Sequence, residues 1–255
     1  MLIESMVFLC LILLISLSFY RQRRTGIEIL QLEDHQTEEQ LTELLQELRP
    51  TIIRGSPPPK GLTKDSLTKI VRLSQFSVGG QPLEDVLNTP ALMKEAAGAP
   101  VLSSERRELL AQELSLPVWA EHTWLPKLSQ TTLVGWMVGC TRTEAILGGM
   151  GMFRTCAIYT CIMPTEGTYT LSIVSKESES FLPPNWQYRY PGTLTTNDTP
   201  LVSDLKFMDI VLRPGTTICL PPHTIVSMEP IGNDFSAAAM VEYHEPISLM
   251  AKSFS

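Results

Sequence analysis

Apolar residues follow three successive textures along the chain. Met6 to Tyr20 is almost continuously apolar; Met1, Leu2 and Ile3 extend the run, and Glu4 is its only charge. From Thr37 to Leu114 the apolar positions recur mostly at helical spacing. Thr37, with Gln40 three residues on, reads as a capping box. Leu41, Leu44, Leu45 and Leu48 follow as one stripe at i, i+3, i+4 and i+7, and Glu38, Glu39, Glu43 and Glu47 lie off it. A short amphipathic helix is predicted from near Asp65 through Leu67, Ile70 and Val71. Further helical segments are predicted over 82–97 and 103–114, the latter capped by Ser103 or Ser104, with Gly98-Ala99-Pro100 breaking the chain between them. The exception is Arg49-Pro50-Thr51-Ile52-Ile53-Arg54-Gly55, which reads as a short strand entered through proline. From Leu116 onward the helical spacing is lost, and short β-prone runs alternate with turn residues. The clearest are 131–138, 155–163, 168–174, 209–211 with 217–220, and 237–243; Pro164-Thr165-Glu166-Gly167 predicts a hairpin turn between two of them. Helices followed by closely spaced strands predict an α+β chain with a barrel or sandwich flanked by helices.

The N-terminal run is expected to be a membrane anchor. A bilayer takes about 20 apolar residues, and residues 3–20 meet that length if their ends reach the interface. Arg21, Arg23 and Arg24 follow at once, and Tyr20 would sit in the aromatic belt. The arginine side faces the cytosol by the positive-inside rule, so the expectation is a single-pass membrane protein with its large domain cytosolic. A cleaved signal peptide is the alternative: Ser16-Leu17-Ser18 supplies a small-x-small site, but the segment before the apolar run has no basic residue. Asn197-Asp198-Thr199 is a glycosylation sequon that matters only in the opposite orientation. The expected organisation is a transmembrane anchor with basic flank over 1–24, a linker over 25–36, and one domain over 37–255. Within that domain 37–115 is the helical flank and 116–245 the β-barrel.

Charge and cysteine content narrow the function classes. The net charge is −7, and without the first 24 residues 17 basic groups face 26 acidic ones, a net −9. An acidic domain repels phosphate backbones, which argues against nucleic-acid binding. Cys10, Cys140, Cys156, Cys161 and Cys219 include no C-x-x-C pair, so no zinc framework is indicated. Cys140, Cys156, Cys161 and Cys219 sit in strand-like runs and are expected to be buried free thiols, although a disulfide is not excluded by their number. There is no dinucleotide fingerprint, P-loop or G-x-S-x-G elbow. Gly148-Gly149-Met150-Gly151 reads as a tight bend or bulge in a barrel strand, and Glu177 and Glu179 as members of a solvated loop.

Two segments carry a family likeness. One is Trp136-Met137-Val138-Gly139-Cys140-Thr141-Arg142-Thr143-Glu144-Ala145-Ile146-Leu147-Gly148. The other runs from Asp209 through Leu212-Arg213-Pro214-Gly215 to Leu220-Pro221-Pro222-His223 and Val226. With Arg49-Pro50 through Gly55 and Phe181-Leu182-Pro183-Pro184, they resemble the cupin-like, JmjC-type hydroxylases over roughly residues 37–245. That resemblance implies a double-stranded β-helix barrel holding Fe(II) through an H-x-D/E pair and a later His, with a lysine pairing 2-oxoglutarate. In this sequence Ile146 and Gly148 fall where the H-x-D pair would be, Val226 where the last His would be, and Tyr169 where the lysine would be. Ile146, Gly148 and Val226 give a metal no side-chain lone pair, and Tyr169 removes the cation that would pair with the co-substrate carboxylate.

The expectation is therefore a degenerate cupin-like domain, a pseudoenzyme acting as a binding or structural module, with no catalytic residues, metal or cofactor, and with the membrane as partner through residues 3–20. One alternative is an active Fe(II)/2-oxoglutarate hydroxylase with displaced ligands, for which Glu144 and His223 are the candidates. Another is a sandwich-type structural protein such as a virion or envelope component. The barrel interior decides between readings: an open polar cleft favours binding, a filled apolar one scaffolding.

Overall fold

The computed structural model describes residues 2–21, 28–33, 48–70, 76–78, 81–89, 98–123, 139–232 and 234–253. The stripe of leucines over 41–48 and the strand read over 131–138 lie outside the described residues, apart from Leu48 itself.

Among the described residues, eight antiparallel strands form the body: β5 (Cys140–Leu147), β6 (Met150–Arg154), β7 (Tyr159–Glu166), β8 (Thr168–Val174), β9 (Phe207–Leu212), β10 (Thr216–Leu220), β11 (Ile225–Ile231) and β12 (Ala237–His244). Before them come β1 (Leu30–Glu33), β2 (Thr51–Arg54) and a small hairpin of β3 (Ser77–Val78) and β4 (Gln81–Pro82). One sheet runs β1-β2-β10-β7-β12-β5 and the other β6-β11-β8-β9. Within the eight-stranded body successive strands alternate between the two sheets except for β8 and β9, which pair with each other, and neighbours in a sheet are antiparallel. This is the strand order of a jelly roll, a double sheet made of two Greek keys. The strands β1 and β2 pair parallel and extend the first sheet beyond β10.

Period-two alternation explains why the larger sheet is buried on both faces. Ile218 and Leu220 of β10, with Ile146, Ala238 and Met240, face the other sheet. Cys219, with Ile53, Cys161, Val241 and Tyr243, faces outward beneath the Leu116–Glu121 helix. Ala145, Leu147, Ala237 and Ala239 lie under a helical layer that includes Leu83–Asn88 and Ser104–Glu113. Pro164 to Gly167 does not make a hairpin. Strands β7 and β8 belong to different sheets, and the chain crosses between them at Gly167, whose φ of 79° favours glycine. Pro214-Gly215 makes the corresponding corner between β9 and β10, with Gly215 at φ 86°.

Two expectations need correction. Residues 116–121 are helical rather than the start of the barrel, and the strands of the described body begin at Cys140. Leu116, Ala120 and partly buried Trp119 supply the helix's inner face, too short a stretch for its periodicity to stand out. The second correction removes the spanning N-terminal helix, and with it the single-pass membrane reading. Residues Leu2–Arg21 form a helix, but among the described residues no helix is long and apolar enough to cross a membrane. The uncharged stretch from Ser5 to Tyr20 rises about 24 Å at about 1.5 Å per residue, short of about 30 Å of hydrocarbon. The helix instead meets the Pro246–Ser253 helix at the other end of the chain.

The inter-sheet core predicts a graded mutational response. Leu171, fully buried between the sheets, should cost about 2–5 kcal/mol of unfolding free energy when changed to Ala. Val211→Ala, on a 55% exposed side chain, should stay within about 0.5 kcal/mol of the parent in the same denaturant titration.

Candidate functional site

The space between the sheets is where the resemblance would put a metal. The larger sheet contributes Ile146, Ile162, Ile218, Leu220, Ala238 and Met240, and the smaller one Met150, Tyr169, Leu171, Ile173, Leu212, Val226 and Met228, all buried in one apolar cluster. Ile146, Tyr169 and Val226 thus share this core. Gly148 sits at the corner between β5 and β6 with φ 67°, and its carbonyl accepts a hydrogen bond from the Tyr169 hydroxyl at 3.1 Å. Burial, and secondarily Tyr190, pushes the Tyr169 phenol well above its ordinary range. Where a lysine would offer a cation, this position holds a neutral phenol that closes a backbone acceptor. The residues present do not fit Fe(II) with 2-oxoglutarate: the positions face each other as hydrocarbon, and the one polar group among them is spent on Gly148.

The two candidate displaced ligands are held elsewhere. Glu144 lies on β5, the outer strand of its sheet, and is buried. Its carboxylate accepts from Arg107 Nε at 2.7 Å and from Ser104 Oγ at 2.8 Å, with Arg142 Nη2 at 3.3 Å. It fastens the Ser104–Glu113 helix to the sheet edge. His223 occupies the β10–β11 turn at φ 58°, where its backbone N–H donates to the Thr155 carbonyl at 2.7 Å. Glu144 and His223 are not brought into one cluster, and among the described residues no group of three or more His, Cys, Asp or Glu could hold a metal ion. Asn197 is exposed in a turn of the long β8–β9 connection, which crosses over the outer face of the smaller sheet. Next to it, Arg189 pairs with Asp198 through Nη1–Oδ1 at 2.5 Å and Nη2–Oδ2 at 2.9 Å. That guanidinium, followed by the Thr195 N–H and hydroxyl, holds the Asp198 carboxyl far below its usual range.

The crossover explains the glycine-rich segment. Met152 N–H donates to the Arg189 carbonyl at 2.8 Å, Tyr188 N–H to the Met152 carbonyl at 2.9 Å, and Gly151 N–H to the Gly98 carbonyl at 2.6 Å, so two loops lie directly on β6. A Cβ at Gly151 would come within 2.2 Å of the Tyr188 backbone, and one at Gly149 within 2.1 Å of the Tyr190 hydroxyl. The β6–β11 register also shifts between Val226 and Met228, a bulge beside Gly151. Leu182, Trp186, Leu194, Val202 and Leu205 of the crossover pack on Met152, Val174 and Ile225, closing the outer face of the smaller sheet.

Two arrangements escaped the sequence reading. His244 Nε2 lies 3.1 Å from Glu242 Oε2, and Ser248 Oγ lies 3.4 Å from His244 Nδ1. The order suggests a serine–histidine–carboxylate relay. However, Ser248 is fully buried and its hydroxyl is committed to Glu245, accepting from the N–H and donating to the carbonyl, each at 2.9 Å. It caps the C-terminal helix. A cleft of about 410 Å³ opens among Gln31, Ile52, Arg54, Ile210, Val211, Arg213 and Thr216, where β2 and β10 approach the free edge of β9. Only the topology brings Gln31, Arg54 and Arg213 together, so no sequence spacing could have shown it.

No family model matches the chain, and no curated protein is significantly similar to it. Among solved structures, one similar chain is the cysteine peptidase Peruvianin-I from Thevetia peruviana latex, at 14% identity over 41% of this chain and 50% of that one, TM-score 0.26. Another is Drosophila melanogaster CENP-C bound to CAL1, at 12% identity over 40% of this chain and 60% of that one, TM-score 0.27. The match spans about half to three fifths of those chains' lengths, and at these scores neither carries a functional argument.

Removing one member of the buried ion pair strands the other. Arg107→Ala should lower unfolding free energy by about 3 kcal/mol, the low end of such losses, because Arg142 stays near Glu144. The double change Arg107→Met, Glu144→Leu should recover most of that loss in the same chemical-denaturation assay.

Titration of Tyr190 gives a second test. Burial, then the charge of Glu229, pushes its phenol up to about 12 from 10.0. A raised folded value means that its contribution to stability is complete below about 10 and is lost as pH rises toward about 12. Stability curves collected across that window should fall for the parent and flatten for Tyr190→Phe, after allowance for Tyr169.

Proposed function

We propose that this chain is a non-catalytic module of the cupin-like type that works as a structural scaffold, presenting its outer surfaces while its barrel interior serves only as core. The observation that carries this reading is the filling of the inter-sheet space by Ile146, Tyr169, Val226 and their apolar neighbours. A metal-dependent oxygenase needs donor side chains on one face of the metal and open positions for oxygen and co-substrate. Here the equivalent volume is occupied by packed hydrocarbon and a phenol bonded to the main chain. The jelly-roll strand order supports the cupin-like part of the reading, since cupins share that architecture. Glu144 supports the scaffold part: its carboxylate is used to hold a helix, with no freedom to move to a metal.

Calorimetry on the full chain under anaerobic conditions, titrated with Fe(II) in the presence of 2-oxoglutarate, tests the proposal. The expected result is no saturable one-to-one uptake, and no succinate on admitting oxygen. Tight stoichiometric iron that disappears in Glu144→Ala or His223→Ala would replace the scaffold with a hydroxylase whose ligands have moved.

A further inference from the structure

Cys161 of β7 and Cys219 of β10 stand directly opposite each other in the larger sheet. Their sulfurs are 2.9 Å apart, and both side chains are buried on the sheet's outer face with Ile53 and Val241, beneath Trp119 and Ala120. Directly opposed residues in an antiparallel pair hold their Cα atoms about 4.5–5.5 Å apart, inside the roughly 4.4–6.8 Å span a disulfide bridges. Their register therefore places them at a separation that a disulfide can span. The other cysteines sit on separate elements: Cys10 on the N-terminal helix, Cys140 at the head of β5, and Cys156 in the β6–β7 connection.

We propose that Cys161 and Cys219 form a cross-strand disulfide site, closed by a small-molecule disulfide such as oxidised glutathione as the barrel folds and left as a dithiol where the surroundings are reducing. One cysteine thiolate attacks a glutathione sulfur, releasing one glutathione thiol and leaving a mixed disulfide. The second thiolate attacks the protein sulfur of that bond, releasing the other glutathione. The Sγ–Sγ bond thus forms as the glutathione S–S bond breaks, the two cysteines lose two electrons and two protons, and glutathione gains them. Timing follows from burial. The Cys219 thiol is pushed well above its ordinary range by desolvation and then by its hydrogen bond with Cys161. Cys219 thiolate is therefore scarce in the folded protein, exchange through it is slow there, and the bond forms mainly before the helical layer closes.

The bridge would span 58 residues that include β8, the long crossover and β9. Closing so long a loop restricts the unfolded chain, so the oxidised form should be the more stable one. It would also pin β10, to which β2 is bonded, onto the centre of its sheet. The inference stands independently of the scaffold reading, because it rests on the outer face of the sheet and not on the barrel interior.

The test uses the full chain carrying Cys10→Ser, Cys140→Ser and Cys156→Ser. It is unfolded, refolded by dilution into a glutathione redox buffer or into reductant, then unfolded again and alkylated. The expected intact mass shows no alkyl groups after oxidising refolding and two after reducing refolding, with a 161–219 cross-linked peptide on digestion. The oxidised sample should also unfold at a higher denaturant midpoint, and Cys161→Ser should abolish both the cross-link and the shift. Two alkylatable thiols in refolded protein under both conditions, or glutathione adducts without the cross-link, would overturn the proposal. Should the triple variant not refold, the same peptide mapping on the unsubstituted chain decides: a 161–219 link supports the proposal and its absence refutes it.

Discussion

Face-to-face packing of two antiparallel sheets over one shared apolar cluster is the constraint from which the other features follow. Side chains that alternate along each strand put every second residue into one shared space, and here those residues include Ile146, Leu171, Ile173, Ile218, Val226 and Met228. Side chains in such cores pack as closely as organic crystals, so these residues fill the space between the sheets. Tyr169 completes it. Its ring fills volume while its hydroxyl satisfies the Gly148 carbonyl at the β5–β6 corner, so a buried polar atom is present without being orphaned.

The outer faces are closed by different means. Helices cover the larger sheet, and the buried Arg107–Glu144 pair fixes one of them to its outer strand. The long β8–β9 crossover covers the smaller sheet, and its close approach is possible because Gly98 and Gly151 offer bare backbone where it lands. The larger sheet is therefore a middle layer, apolar on both sides. That is why Thr217 and Cys219 are as buried as Ile218 and Leu220, and why two cysteines can meet away from solvent.

Part of the strand pattern was legible from β-prone runs bounded by turn residues, even where burial on both faces erases the alternation, as in β12. The strand Thr168–Val174 has the limits that its alternation suggests, and β10 and β12 differ from their sequence runs by one residue. What failed did so for physical reasons. Pro164 to Gly167 looks like a hairpin turn because a sheet-to-sheet corner needs the same proline and glycine chemistry. The Leu116–Glu121 helix has two turns and too few positions to establish a period. The N-terminal run is apolar enough to suggest a span, yet its uncharged length falls short. At the candidate site, the family motifs led to Ile146, Tyr169 and Val226, which do meet in one cluster. The role of Glu144 was hidden, because its partner Arg107 lies 37 residues earlier and reaches it only through the fold. The facing of Cys161 and Cys219 was hidden for the same reason, since register across 58 residues is not written in any local pattern.

The central proposal is that the space between the sheets serves as apolar core and not as an emptied metal pocket. Methyl-resolved NMR of the full chain during titration with Mn(II), a paramagnetic stand-in for Fe(II), tests it most directly. The account predicts that the methyl signals of Ile146, Leu171, Ile173 and Val226 stay sharp at one equivalent of metal, with broadening confined to exposed methyls. Loss of the Ile146 and Val226 signals at stoichiometric Mn(II), ahead of every exposed methyl, would contradict it, because broadening falls steeply with distance and would then centre on a metal between the sheets.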